Sequence, residues 1–273
     1  MSDCPRSQKR VVIWSVARSL SSVFACSLSQ VPDTVVLFEP FTSAALYGPQ
    51  RVCNNTYKSC ATETFESVKV LYEQPWQGKS LVLAKDMGYS MTGRYDMIPE
   101  GYQHIFLTRH PAKSIPSIES ALAPIKKEQK EFYIGLNQYK PLSDLHRHVT
   151  SKLGQQVTIL DAQDLIQNPE KTIQTLCQIL GLPFSDRLLT WDPIDGKPGN
   201  WIMSSAMWED CELLGWMDNC LRSTGFVKPT KQQNTDGEVG KYPLTPEIEK
   251  MIEEALPYYQ ALWELRIKFD ECN

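Results

Sequence analysis

The chain has 273 residues, of which 42% are hydrophobic and 22% charged, and its formal net charge is −4. This composition is typical of a globular protein with a full apolar core. The acidic balance argues against nucleic acid as a partner, because neutralising phosphates needs a basic excess. The apolar run Val11–Val16 is too short for a signal-peptide core or a membrane span. We therefore expect a cytoplasmic protein with no membrane partner, present either as a monomer or as a homodimer.

Short, continuous apolar runs predict strands that are covered on both faces of a sheet. These runs are Arg10–Trp14, Thr34–Phe38, Ser80–Ala84, His104–Thr108 and Gln156–Leu160. Helical patterns lie between them, including Ser19–Leu28, Glu63–Tyr72 and Leu142–Leu153. Because strands and helices alternate, the predicted fold class is α/β, with three layers and a mostly parallel central sheet flanked by helices.

The pattern becomes mainly helical after residue 161. Asn168 and Pro169 predict the start of a helix that ends at Gly181. The remaining predicted segments are a loop at Trp191–Trp201, a helix at Ala206–Leu221, a loop at Lys228–Tyr242 and a last helix from Thr245 to about Ile267. No linker divides the sequence, so we predict one domain over residues 1–273, with helical lid or acceptor-binding elements at about 190–273.

The cysteines predict neither a zinc site nor a disulfide framework. None of them forms a CxxC pair or a Cys/His cluster with zinc spacing, so we expect no metal and free thiols. They are Cys4, Cys26, Cys53, Cys60, Cys177, Cys211, Cys220 and Cys272.

The segment Ser15–Ser22, here called the phosphate turn, joins the first predicted strand to a helix. A helix N-terminus offers unpaired N–H groups and a positive dipole to an anion. Arg18 adds a fixed charge with a fork of donors, and the serines add hydroxyl groups. The alternative is an ordinary strand–helix turn capped by serines, with Arg18 in solvent. The turn lacks the GxxxxGK pattern of ATP- and GTP-binding loops, which disfavours a nucleoside triphosphatase or small-molecule kinase.

A second anion contact is predicted after the fourth strand. Arg109 ends that strand, and Ser117 follows it by eight positions on a helix that Pro111 opens. The carboxyl ends of parallel strands form the edge where such sheets bind ligands. The alternative is that Arg109 pairs with a carboxylate and that Ser117 is structural.

These features together resemble the sulfotransferase family that uses 3′-phosphoadenosine 5′-phosphosulfate (PAPS). That family holds the 5′-phosphosulfate with a turn of Lys or Arg, Ser, Gly, Thr, and Thr or Ser, which Arg18–Ser22 resembles. Its 3′-phosphate site is an Arg, a Pro two positions later and a Ser eight positions later, which Arg109, Pro111 and Ser117 match. Asp164–Phe184 is similar to a third family segment. The resemblance covers about residues 8–230.

The resemblance implies a P-loop fold, PAPS as the sulfuryl donor and adenosine 3′,5′-bisphosphate as a product. It implies that Ser223–Phe226 contacts the adenosine through Thr224 and Phe226. A later segment of the family has only a weak counterpart here, at Asp236–Lys241. The implied cofactor-binding residues are Arg18, Ser19, Leu20, Ser21, Ser22, Arg109, Ser117, Thr224 and Phe226. Leu20 replaces the glycine of the family turn, and we expect it to take a helical or β conformation, because a side chain disfavours positive φ.

The acceptor needs a base, and many cytosolic members of the family use a His two positions after a Lys. Here Lys85 fits that Lys, but no His follows it. Asp86 and Glu39 are two alternative bases, each of which could instead be held in an ion pair. The implied catalytic residues are therefore Arg18, Lys85, Asp86 and Glu39.

Four tryptophans in the helical half are expected to pack in the core and lid; Trp201 or Trp208 lining an acceptor pocket is the alternative. They are Trp191, Trp201, Trp208 and Trp216. The predicted function is sulfuryl transfer from PAPS to a hydroxyl or amine of a small molecule. The alternatives are a sulfotransferase-like protein with altered or lost transfer, and a small-molecule kinase.

Overall fold

The structure is a computed structural model that describes residues 8–51, 58–123, 138–226 and 244–269. Six parallel strands form its central sheet. They are β1 (Lys9–Ser15), β2 (Thr34–Phe38), β3 (Leu81–Met87), β4 (Gln103–Thr108), β5 (Val157–Asp161) and β6 (Trp201–Ile202). Their order is β5-β4-β1-β3-β2-β6, and each neighbouring pair is parallel. The phosphate turn therefore follows a central strand.

Helices cover both faces of this sheet. They are α1 (Ser21–Leu28), α2 (Pro40–Tyr47), α3 (Phe65–Glu73), α4 (Pro111–Ala121), α5 (Tyr139–Ser151), α6 (Ala162–Gln167), α7 (Pro169–Leu180), α8 (Ser205–Leu214), α9 (Asp218–Leu221) and α10 (Pro246–Glu264). Within the described ranges, none of the helices combines the length and apolar character needed to cross a bilayer.

Alternate residues of each strand enter different halves of the core. On β1, Val11 and Ile13 pack with Phe24 of α1 on one face, whereas Val12 and Trp14 pack on the other face. This two-residue alternation with apolar side chains on both faces explains the continuous apolar runs in the sequence. The predicted three-layer α/β class is confirmed.

The five predicted strands are confirmed, with one difference that concerns the site. Strand β3 continues three residues past Ala84, to Met87, so that Lys85 and Asp86 belong to the strand. The sixth strand was not predicted, because its two residues follow a segment rich in proline and glycine that reads as a loop.

The helical half follows the prediction with one break. Helix α7 ends at Gly181, which has φ of 64°, as expected. The single helix predicted at Ala206–Leu221 is wrong, because Gly215 takes φ of 64° and separates α8 from α9. The segments Lys228–Tyr242 and Asp236–Lys241 lie outside the described residues.

Candidate functional site

The phosphate turn reverses the chain between β1 and α1 with two left-handed residues. Arg18 has φ of 59° and Leu20 has φ of 64°, and Leu20 is the N-cap of α1. The expectation that Leu20 avoids this region is wrong. The turn keeps the backbone that glycine would provide, at a cost of about 1–2 kcal/mol for a residue with a side chain. The unpaired N–H groups in the first turn of α1 consequently point toward the carboxyl edge of the sheet.

The interior of the turn is fixed by its own hydroxyl group and by α4. The hydroxyl of Ser19, which is fully buried, donates to the carbonyl of Val16 at 2.7 Å. Ser114 of α4 donates its hydroxyl to the carbonyl of Ala17 at 2.8 Å. Ser19 therefore shapes the turn from within.

The two predicted anion contacts meet in space. The Nε of Arg18 donates to Oγ of Ser117 at 3.0 Å, and Nη1 of Arg109 donates to the carbonyl of Arg18 at 2.8 Å. Arg109 and Ser117 are each 8% exposed. Two guanidinium groups and a hydroxyl group thus lie together where β1 and β4 end, which is a set of donors suited to phosphate oxygens.

A cavity of about 130 Å³ opens beside the turn. Its polar wall contains Arg18, Ser21, Ser22 and Gln138, and Glu39 and Lys85 reach it from β2 and β3. The rest of the lining is mostly apolar and comprises Ala17, Leu46, Met87, Ile118, Ala121, Leu122, Met207 and Trp216, together with Thr42 and Tyr89. The lining therefore combines cationic and hydroxyl side chains with an apolar surface and one carboxylate, that of Glu39.

Lys85 and Asp86 point to opposite faces of β3. Successive side chains of a strand alternate, so Lys85 shares the face of Leu83, and Asp86 shares the face of Ala84. Lys85 lines the cavity, whereas Asp86 does not. The structure therefore places Lys85 at the cavity and Asp86 on the opposite face of the sheet.

Asp86 is fully buried against α2 and α3. Its carboxylate accepts the backbone N–H groups of Phe41 and Thr42, each at 2.8 Å, the Thr42 hydroxyl at 2.6 Å and the Tyr72 hydroxyl at 2.8 Å. Burial raises the pKa of Asp86 to about 6 in spite of these donors. Both oxygens are occupied, so the carboxylate ties the start of α2 to the sheet.

Glu39 and Lys85 form an ion pair at the cavity. The carboxylate of Glu39 contacts Nζ of Lys85, and the two side chains are 15% and 3% exposed, respectively. Glu39 has φ of 56°, and its N–H donates to the carbonyl of Lys85 at 2.7 Å. Nζ of Lys85 also lies 5.0 Å from the ring centre of Phe38. A strained residue that holds a carboxylate at a cavity is typical of a functional position.

The two residues that the resemblance places on the adenosine, Thr224 and Phe226, both contact Trp191. The carbonyl of Thr224 accepts the N–H of Trp191, and the rings of Trp191 and Phe226 meet edge to face at 5.6 Å. Neither Thr224 nor Phe226 lines the cavity. Trp201 is buried in β6 and stacks on Phe38 at 4.9 Å, so its packing role is confirmed.

Several cavity residues were not found from the sequence. Gln138 directly precedes α5, Met207 lies in α8 and Trp216 follows α8. Nothing in their sequence spacing places them beside the phosphate turn. The sequence predicts that Trp216 packs in the core or lid, whereas the structure places it in the cavity lining. The folded chain alone brings these distant segments together.

The described cysteines are free thiols, as predicted. They are Cys26, Cys60, Cys177, Cys211 and Cys220. In the part of the chain that the structure describes, no group of three His, Cys, Asp or Glu side chains is arranged to hold a metal ion.

A family model described as a sulfotransferase domain matches residues 9–265 of this chain. A curated relative, the branched-chain-amino-acid aminotransferase-like protein 2 of Arabidopsis thaliana, is 28% identical over 258 residues. That alignment covers 91% of this chain and 40% of the relative, so the chain spans about two fifths of the length of the relative.

Two solved structures are similar in fold. The sulfotransferase domain from the curacin biosynthetic pathway is 14% identical with a TM-score of 0.48, and the match covers 91% of this chain and 98% of that chain. Mouse sulfotransferase SULT7A1 complexed with PAP is 14% identical with a TM-score of 0.46, and the match covers 94% of this chain and 88% of that chain.

Proposed function

The chain belongs to the sulfotransferase domain family, and on that premise we propose that it transfers the sulfuryl group of PAPS to a hydroxyl or amine of a small molecule. The observation that carries this proposal is the meeting of Arg18, Arg109 and Ser117 at the ends of β1 and β4. A single cation at a helix N-terminus would suit any anion. Two arginines and a serine in one cluster, beside a cavity, suit a ligand with two separate anionic groups.

The donor would be held by both parts of this cluster. The N–H groups at the start of α1, with Ser21 and Ser22, would bind the 5′-phosphosulfate, and Arg109 with Ser117 would bind the 3′-phosphate. The left-handed backbone of Leu20 supports this assignment, because it opens the helix N-terminus as a glycine would. Arg18 lines the cavity next to that helix start, and we assign it to the charge that develops on the transferring group and the leaving phosphate.

Glu39 is the base that we propose for the acceptor. It lines the cavity, whereas Asp86 does not and already accepts several hydrogen bonds. The ion pair with Lys85 holds the Glu39 carboxylate at the cavity. Lys85 would then have two roles: it would orient Glu39, and it would neutralise negative charge as the acceptor oxygen or nitrogen attacks in line.

The lining of the cavity supports a small and largely apolar acceptor. Met87, Ile118, Leu122 and Met207 form apolar walls, and Trp216 adds a ring with a polar edge.

Calorimetry with adenosine 3′,5′-bisphosphate tests the donor site. We expect binding by the wild type and a loss of about tenfold or more in Arg109→Ala, because charged hydrogen bonds contribute about 1.5–3 kcal/mol. Arg147→Ala is the matched control, since the Arg147 side chain is 73% exposed on α5. The proposal fails if the wild type does not bind the bisphosphate.

A sulfur-35 transfer assay with a panel of small alcohols and amines tests the base. Glu39→Gln keeps the size of the side chain, and we expect it to lower kcat by about 10²–10⁴-fold without weakening bisphosphate binding. Asp86→Asn is the comparison. If Asp86→Asn abolishes transfer in a folded protein and Glu39→Gln does not, Asp86 is the base and this assignment is wrong. A protein that binds the bisphosphate and transfers sulfate to no acceptor would be a binding protein with this fold.

A further inference from the structure

Gln138 lies against the phosphate turn although it is 121 residues from it in sequence. It directly precedes α5 and is 8% exposed. Its Oε1 accepts the backbone N–H of Ala17 at 2.6 Å. Because that N–H can only donate, the oxygen of the amide must face the turn, and Nε2 with its two protons must face away from it.

The amide nitrogen of Gln138 is a donor at the wall of the cavity. Gln138 lines the cavity together with Ala17, Arg18, Ser21 and Ser22. Among the described residues, the one hydrogen bond of this side chain is the one that its oxygen accepts from Ala17. Nε2 of Gln138 is not one of the fully buried polar atoms that lack a partner, so it is accessible at this wall and can donate to a ligand oxygen in the cavity.

The residues around Gln138 indicate whether the ligand oxygen at this wall is charged or neutral. Arg18 is a cation, and the hydroxyl groups of Ser21 and Ser22 with the N–H groups of α1 are donors, so this end of the cavity offers positive potential. The carboxylate of Glu39, also at the cavity, is already paired with Lys85. A donor in such surroundings complements an anionic oxygen rather than a neutral one.

We propose that Gln138 is a ligand-binding residue whose amide N–H donates to an oxygen of the 5′-phosphate or of the sulfuryl group attached to it. The inference rests on the proposed function, since it places a further donor in the same anion-binding end. The competing role is structural, in which Gln138 does no more than accept the Ala17 N–H and support the turn.

Two substitutions at this position separate the roles. Gln138→Glu keeps an oxygen for the Ala17 N–H but replaces the donor by a negative charge. Gln138→Ala removes both groups. A structural support predicts that the glutamate variant binds better than the alanine variant, because a carboxylate accepts the N–H at least as well. A donor to an anion predicts the reverse order, because the carboxylate repels the ligand.

The experiment is calorimetry of the whole chain with adenosine 3′,5′-bisphosphate, with folding checked by circular dichroism. We expect Gln138→Glu to weaken binding by about tenfold or more and to bind less tightly than Gln138→Ala. Gln178→Glu is the matched control for net charge, since Gln178 is exposed on α7, and we expect it to bind like the wild type. Binding by Gln138→Glu that equals or exceeds that of Gln138→Ala overturns the inference.

A second measurement needs no folded glutamate variant. The side-chain amide of Gln138 gives a nitrogen-15 NH₂ signal, which is assigned by its absence in Gln138→Ala. We expect this signal to move when the bisphosphate is added to the wild type, and an unmoved signal in the bound protein overturns the inference. Failure of the wild type to bind at all removes the proposed function as well, so the two failures are distinguishable.

Discussion

Replacing Leu20 by glycine and by alanine separates the backbone cost of the phosphate turn from the loss of a side chain. Both variants remove the half-buried Leu side chain, but only glycine removes the penalty of φ at 64°. That penalty is about 1–2 kcal/mol. The flexibility of glycine in the unfolded chain costs about 0.5–1 kcal/mol in return. We therefore expect Leu20→Gly to be more stable than Leu20→Ala by about 0.5–1 kcal/mol.

An exposed helical position provides the opposite expectation and serves as the control. Glu253 lies in the middle of α10 with an exposed side chain. There Glu253→Gly should be less stable than Glu253→Ala by about 1 kcal/mol, because glycine is the poorer helix former. The free energy of unfolding is measured in urea by the fluorescence of the tryptophans. The order of the two variants should invert between Leu20 and Glu253.

The result that refutes the reasoning is Leu20→Ala at least as stable as Leu20→Gly. That result would mean that the left-handed conformation is not a cost at this position. Binding gives a second reading of the same feature. Because Leu20 already holds the backbone that glycine provides, Leu20→Gly should bind adenosine 3′,5′-bisphosphate within a few-fold of the wild type, as judged by calorimetry.

Two further predictions concern buried titratable groups. The pKa of Asp86 is raised to about 6 from 3.8, so the folded state favours the protonated form, and the contribution of Asp86 to stability falls by about 3 kcal/mol as pH rises from about 4 to 6. In urea unfolding across this range, Asp86→Asn should lack that loss, and parallel curves for the two proteins would contradict the pKa. Burial also raises the pKa of Cys177 to about 11 and of Cys211 to about 12, so iodoacetamide should label the partly exposed Cys60 before Cys177 and Cys211, as mass spectrometry would show. Earlier labelling of Cys211 would contradict its burial.

Part of the site could be found from the sequence because its signals are local. The phosphate turn is a run of neighbours, and Arg109 and Ser117 lie on one strand–helix unit, so their spacing predicts a common edge. The contact between Arg18 and Ser117 then follows from the parallel pairing of β1 and β4. Which of Asp86 and Glu39 lines the cavity was not predictable, because it depends on which face of β3 turns toward the cavity and on where that strand ends.

By itself the sequence determined the α/β alternation, the strand after which the phosphate turn begins and the family of the chain. Apolar periodicity and short motifs encode these features, so any chain with the same pattern of buried faces and the same motifs has them. The tertiary structure alone decided that Leu20 takes a left-handed conformation, that Glu39 faces the cavity and that Gln138 stands beside Ala17. Each of these depends on contacts between residues distant in sequence, whose geometry is set by the packing of whole elements and leaves no pattern in the sequence around them.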